Sequence, residues 1–95
     1  EIEDVLHRHG MISEAAVVAI PHARLGEGVC AVLVMRHSAT LSMAELQAFL
    51  QEAGLAKQKW PERIELSDEL QKTASGKVRK DILRQQVKAL VESEA

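Results

Sequence analysis

Two apolar runs stand close together in this chain: Ala15-Ala16-Val17-Val18-Ala19-Ile20, and Val29-Cys30-Ala31-Val32-Leu33-Val34-Met35. Each is bounded, rich in β-branched side chains and free of helical periodicity, so each reads as a buried strand. Residues 21–28 between them hold Pro21, Gly26 and Gly28 and read as a loop. A connection this short favours an antiparallel pair. A chain of 95 residues has room for one modest core, so two buried strands commit most of it to a sheet that the remaining segments must cover.

The covering segments announce themselves by period and by caps. Ile2, Val5, Leu6 and His9 recur at three- and four-residue spacing before Gly10, which predicts a short amphipathic helix. Ser42 and Glu45 stand at the spacing of a capping box, with Leu41 and Leu46 placed as a hydrophobic staple around them. A helix therefore starts at Met43, buries Leu46, Phe49, Leu50 and Ala53, and ends at Gly54 with a left-handed cap. Residues 55–61 read as a connector, and Arg63-Ile64-Glu65-Leu66 alternates as a half-exposed third strand, parallel to the second because a helix joins them. Val78, Ile82, Leu83, Val87, Leu90 and Val91 mark a last helix. The expected fold is α+β: a small layer domain with a three-stranded mixed sheet flanked by about three helices.

Composition excludes several functions. Twelve Lys and Arg against fourteen Asp and Glu give a net charge of −2, which offers no whole-domain attraction to nucleic acid or anionic lipid. Two aromatic residues, Phe49 and Trp60, leave little for base stacking. Cys30 is the only cysteine, so no internal disulfide forms, and a reducing, cytoplasmic setting fits. No apolar stretch approaches the ~20 residues of a transmembrane helix. His7 and His9 point to different sides of a helix, and His22 and His37 are isolated, so no metal site is expected. A self-sufficient enzyme cleft is also unexpected, since ~300–1,000 Å³ of pocket needs walls that so small a domain lacks. The chain begins at Glu1, as a piece of a longer protein would.

Charge is uneven along the chain. Glu1, Glu3, Asp4 and Glu14 against Arg8 leave the first fourteen residues at −3, whereas residues 71–88 set six cations against Asp81, a net +5. Within that basic stretch lies Gln71-Lys72-Thr73-Ala74-Ser75-Gly76-Lys77, which no core pattern demands. Gly76 permits positive φ or a close backbone approach, while Thr73 and Ser75 can fix the loop through local hydrogen bonds. Lys77 is then a steerable cation, suited to phosphate or to developing negative charge. A plain surface turn with a tolerated Gly and Lys fits the same composition. A P-loop does not, because no Gly stands five residues before Gly76 and Val78 takes the place of the magnesium-binding Ser or Thr.

Several segments together carry a resemblance over nearly the whole chain. They are Glu1-Ile2-Glu3 with Val5-Leu6, Glu14-Ala15-Ala16-Val17-Val18 with Pro21, Gly26-Glu27, Lys59 two residues before Pro61, and Thr73-Ala74-Ser75-Gly76-Lys77-Val78 ending in Leu83-Arg84. In this order and spacing the chain resembles the C-terminal domain of the adenylate-forming, AMP-producing acyl-CoA synthetase superfamily. That superfamily also holds aryl-acid ligases, luciferases and peptide-synthetase adenylation domains. The resemblance departs at Gln71, where the family usually has Pro, and at Gln58, where it often has an aromatic residue. The hinge residue and the pantetheine-contacting glycine loop lie upstream of Glu1 in the family's order.

The resemblance implies that residues 1–95 form the catalytic lid of a larger enzyme and are inactive alone. Its reaction has two steps: a carboxylic acid, here expected to be a fatty acid, attacks ATP to give acyl-AMP and pyrophosphate, and CoA then displaces AMP. The lid swings between the steps. Lys77 matches the catalytic lysine of the first step, with Thr73, Ser75 and Gly76 beside ATP and the acyl-adenylate. Lys59 is an expected contact on the CoA side, with a solvated surface lysine as the competing reading. Mg²⁺ is expected through ATP and the protein's own N-terminal adenylation domain, and a lysine acetyltransferase is an expected partner at Lys77. The competing expectations are the lid of an aryl-acid or amino-acid adenylating enzyme that loads a carrier protein, and a non-enzymatic basic interaction module.

Overall fold

The computed structural model describes residues 2–22 and 26–93, and at its centre lies a three-stranded mixed sheet in the order β1-β2-β3. Strand β1 (Ile12–His22) pairs antiparallel with β2 (Gly26–Met35), and β2 pairs parallel with β3 (Arg63–Leu66), from Cys30 opposite Arg63 to Leu33 opposite Leu66. The unbroken apolar run of β2 follows from its position, since a central strand covered on both faces has no solvent side on which to alternate. Both sequence-predicted strands and the parallel third one are present.

The hairpin is longer than the sequence suggests. Pro21, His22, Gly26, Glu27 and Gly28, all read as loop, continue the β1–β2 ladder as far as His22 opposite Gly26. Local Gly and Pro signals lose here to register: β1 is an edge strand of this sheet, where Pro is tolerated, and the pairing set by the apolar runs propagates outward. The tip of the expected loop, residues 23–25, lies outside the described residues, as does Glu1.

At its other end the same ladder slips by one residue. Ile12 faces Met35 and Glu14 faces Val34, which leaves Ser13 as the extra residue of a β-bulge. The bulge inverts the alternation of β1. Ile12 points to the same side as Ala15 and Val17, while Ala16, Val18 and Ile20 point to the other, the side that Glu14 shares by alternation.

Helices α1 (Ile2–Leu6) and α2 (Met43–Glu52) cover the first side, and α3 (Lys80–Ser93) covers the second. Val5, Leu6, Leu46, Leu50 and Leu55 pack on Ile12, Ala15, Ala31 and Leu33. Leu70, Leu83 and Val87 pack on Ala16, Val18, Ile20, Cys30, Val32 and Val34. No polar side chain among the described residues is buried, so both layers cohere through apolar burial at ~25 cal/mol per Å².

Helix α2 forms as its sequence dictates. Ser42 Oγ accepts from the Glu45 N–H at 3.1 Å, and Glu45 Oε1 accepts from the Ser42 N–H at 2.9 Å. At the C-terminus Gly54 has φ +81, its N–H donates to Gln51 O, and the Leu55 N–H donates to Leu50 O, which is a Schellman cap with its apolar contact between Leu50 and Leu55. Ala53, expected in the buried face, is instead the exposed cap residue, because the helix axis has already ended at Glu52. Helix α1 stops at Leu6, short of Gly10, so His9 stands outside it and its ring packs edge-on against Phe49 with centroids 4.8 Å apart. The last helix buries Leu83 and Val87 and half-buries Val91 along one ridge. Leu90, expected in that stripe, falls beside the ridge and is 45% exposed. No described helix is long and apolar enough to cross a membrane.

Candidate functional site

Between Leu70, which is buried under α3, and the start of α3, the chain makes a second and much smaller hairpin. Lys72 and Val78 form an isolated antiparallel bridge, and the Arg79 N–H donates to Gln71 O at 2.7 Å. Closer to the tip, the Thr73 N–H donates to Lys77 O at 2.7 Å and the Gly76 N–H donates to Thr73 O at 2.9 Å. Thr73 thus faces both Gly76 and Lys77, the arrangement of a glycine bulge. Gly76 has φ +90, and a Cβ built there would meet nothing within 4 Å. Of the two reasons the sequence allows for this glycine, backbone conformation is the one the structure requires.

The hydroxyls lock the turn. Thr73 Oγ1 accepts from the Lys77 N–H at 3.2 Å and shares a hydrogen bond of 2.9 Å with Ser75 Oγ. Thr73 therefore reaches backbone as expected, whereas Ser75 bonds a side chain rather than the main chain. All seven residues from 71 to 77 are exposed. Thr73, Ser75, Gly76 and Lys77 are brought together in one hydrogen-bonded tip that holds the Lys77 backbone from both N–H and C=O.

The cations around this tip differ in one respect. Lys72 pairs with Glu14, Lys80 pairs with Glu3 at 2.7 Å, and Arg79 pairs with Asp81 at 2.8 Å. The Arg79 hydrogen bond pulls the Asp81 carboxyl down to about 2. Lys77 forms no ion pair with any described residue. An exposed ammonium on a fixed backbone, among neighbours already neutralised, is the group left to meet an incoming anion.

Lys77 also borders a groove of about 380 Å³ whose walls include Leu70, Lys80, Glu3 and Glu14. Glu3 is the knot of this groove. Its Oε2 accepts from the Val17 N–H at 2.7 Å and from Lys80, which ties α1, β1 and α3 together. Burial raises the Glu3 carboxyl, but the bonds from Lys80 and Val17 outweigh it and leave the carboxyl below its ordinary range. Sequence reasoning missed Glu3, Glu14 and Lys72, because no local spacing signals an ion pair between distant segments.

Lys59 is not part of this cluster. It ends a single helical turn, Lys57–Lys59, that leads into the N-terminal end of β3, whereas Lys77 lies by Glu14 and Ala15 at the opposite end of the sheet. The turn is anchored by Trp60, whose Nε1–H donates to Leu55 O at 2.8 Å while its ring packs on the α1/α2 layer. Cys30 is fully buried, and burial pushes its thiol up to about 11. Among the described residues no three His, Cys, Asp or Glu gather as a metal centre would need.

The family described as AMP-binding enzyme C-terminal domain matches residues 1–77. The chain is 39% identical over 90 residues to the vibriobactin-specific 2,3-dihydroxybenzoate-AMP ligase of Vibrio cholerae, covering 95% of this chain and 17% of that protein. It is 42% identical over 90 residues to the medium-chain fatty-acid–CoA ligase of Escherichia coli, covering 92% and 16%. The crystal structure of ATP-bound MatB from Rhodopseudomonas palustris matches it with a TM-score of 0.82 at 36% identity, over 94% of this chain and 18% of MatB. The chain spans about a sixth of the length of the curated relatives it matches.

Proposed function

The chain belongs to the AMP-binding enzyme C-terminal domain family of the adenylate-forming ligases, and from that premise we propose that it is the catalytic lid of an acyl-CoA ligase, with Lys77 as its first-step cation. The observation that carries this reading is the contrast at the hairpin tip: Lys77 is exposed and without an ion pair among the described residues, while Lys72, Arg79 and Lys80 beside it are each paired.

In the first step a substrate carboxylate approaches the α-phosphate of ATP, and two anions crowd together. An ammonium with three donors can touch both, and its attraction grows as charge accumulates on the phosphate oxygens, so it favours the transition state over the separate reactants. Acyl-AMP and pyrophosphate result. Thr73 and Ser75 shape the tip that presents Lys77, and Gly76 supplies its bend. The magnesium that accompanies ATP belongs with the nucleotide and the N-terminal domain. In the second step a thiol displaces AMP, and to that step this reading assigns Lys59, which lies at the far end of the sheet from Lys77.

The fatty-acid–CoA ligase among the relatives supports CoA as the thiol. A second reading, an aryl-acid adenylating enzyme that loads a carrier protein, draws equal support from the dihydroxybenzoate–AMP ligase. The full-length protein, assayed with medium-chain fatty acid and CoA and separately with an aryl acid and a pantetheinylated carrier, separates the two. In that protein Lys77→Ala is expected to lower carboxylate-dependent pyrophosphate exchange by ~10²–10³-fold while leaving transfer from supplied acyl-adenylate largely intact. Equal loss of both half-reactions would remove Lys77 from the first step.

A further inference from the structure

Resting on that reading of Lys77, we propose that Glu14 is a positioning residue for the first step, acting through its ion pair with Lys72 to set the angle at which the hairpin presents Lys77. The hairpin's own bonds fix its shape. The Lys72–Val78 bridge, the Gly76 bulge and the Thr73 contacts to Lys77 are all internal and would survive a rigid swing of the tip. Its orientation against the sheet needs contacts that leave the hairpin. On the incoming arm the contact is Lys72–Glu14; on the outgoing arm Val78 packs against the α3-side core, and just past it Lys80 pairs with Glu3, so Lys72–Glu14 is the contact that fixes the incoming side.

The regular alternation of β1 is what makes the Glu14 contact available. Counting back from Val18 and Ala16, Glu14 falls on the side of α3 and the hairpin, and the Ser13 bulge lets Ile12, two residues earlier, turn instead to the α1/α2 layer. Glu14 is also a wall of the groove that Lys77 borders, so the carboxylate that holds Lys72 stands in the same recess as the ammonium it helps to aim. Lys72 immediately precedes Thr73, which grips both the N–H and C=O of Lys77. A change of tilt at Lys72 therefore reaches the Lys77 backbone through one residue.

Both partners are about a third exposed, so the pair adds little to global stability. Its effect falls on geometry, where displacement of a catalytic group by about 1 Å can cost ~10²-fold in rate. In the full-length enzyme, Glu14→Gln is expected to lower kcat for carboxylate-dependent pyrophosphate exchange about tenfold, with KM for ATP and acid nearly unchanged. Transfer from supplied acyl-adenylate and the melting temperature should stay close to wild type. Lys72→Met should match Glu14→Gln, the Glu14→Gln/Lys72→Met double variant should be no worse than either, and the Glu14→Lys/Lys72→Glu exchange should recover most of the rate. An unaltered exchange rate in Glu14→Gln, an equal loss of both half-reactions, or no recovery on charge exchange would overturn the inference. Lys77→Ala run beside it separates the two readings. If Lys77→Ala keeps pyrophosphate exchange, the role of Lys77 fails and this inference with it; if it abolishes exchange and Glu14→Gln changes nothing, positioning by Glu14 alone is refuted.

Discussion

On the face covered by α1 and α2, the sheet meets Leu6, Leu46 and Leu50 through Ile12 and Leu33, and all five are among the largest fully buried side chains. On the face covered by α3, the large fully buried side chains shrink to Val32 and Cys30, and the layer is completed by exposed ion pairs at its rim. The two faces share one sheet but divide the work: one concentrates apolar volume, and the other trades volume for charged contacts around Lys77. The lesson is that stability and site geometry can be disturbed separately in so small a domain.

The sharpest way to break that division is to cut the first face. Leu50→Ala should cost about 3 kcal/mol, read by urea denaturation, because a fully buried leucine leaves a cavity as well as losing its transfer energy. The ratio of the two half-reactions in surviving folded protein should stay as in wild type; a selective loss of adenylation would show that the faces are coupled. Gly76→Ala should cost about 1–2 kcal/mol, the penalty of φ +90 for a side chain, and should slow pyrophosphate exchange more than transfer. Ser42→Ala, which removes one half of the α2 capping box, should cost about 1 kcal/mol with no selective effect on either step.

The smallest expected effect depends on pH. Glu3→Gln weakens the bonds to Val17 and Lys80 and should cost about 1 kcal/mol or less at neutral pH. Because the folded-state carboxyl lies below its ordinary value of 4.5, the contribution of Glu3 is fully present above about that pH and is lost on acidification below it. Melting curves of wild type and Glu3→Gln should therefore converge as pH falls from 5 toward 3, while a constant gap would place the effect of Glu3 outside its charge.

Much of the fold is legible in the chain because its signals are local. The capping box at Ser42 and Glu45, the glycine after α2 and the two apolar strands each name their own element, and the helix between strands two and three makes that pair parallel. The extent of the hairpin is not legible, since Pro21 and Gly26 carry turn propensities that cross-strand register overrides. Leu90 and Ala53 satisfy a helical period yet lie off the buried ridge and past the helix end, which period alone cannot express. At the site, Gly76 and Lys77 stand out against an otherwise generic turn, whereas Glu14 and Lys72 look like ordinary surface charges until the second hairpin folds back over the start of β1 and pairs them.

Cys30 has a further consequence. It sits on the middle strand, bonded on both sides and sealed under α3, so no fraying edge can reveal its sulfur. With the thiol pushed up to about 11, almost none of it would be thiolate at neutral pH even if a reagent reached it. Alkylation of this one atom must wait for α3 to lift from the sheet. The domain thus contains a built-in clock for the opening of its α3 layer, readable by mass from the peptide that carries Cys30.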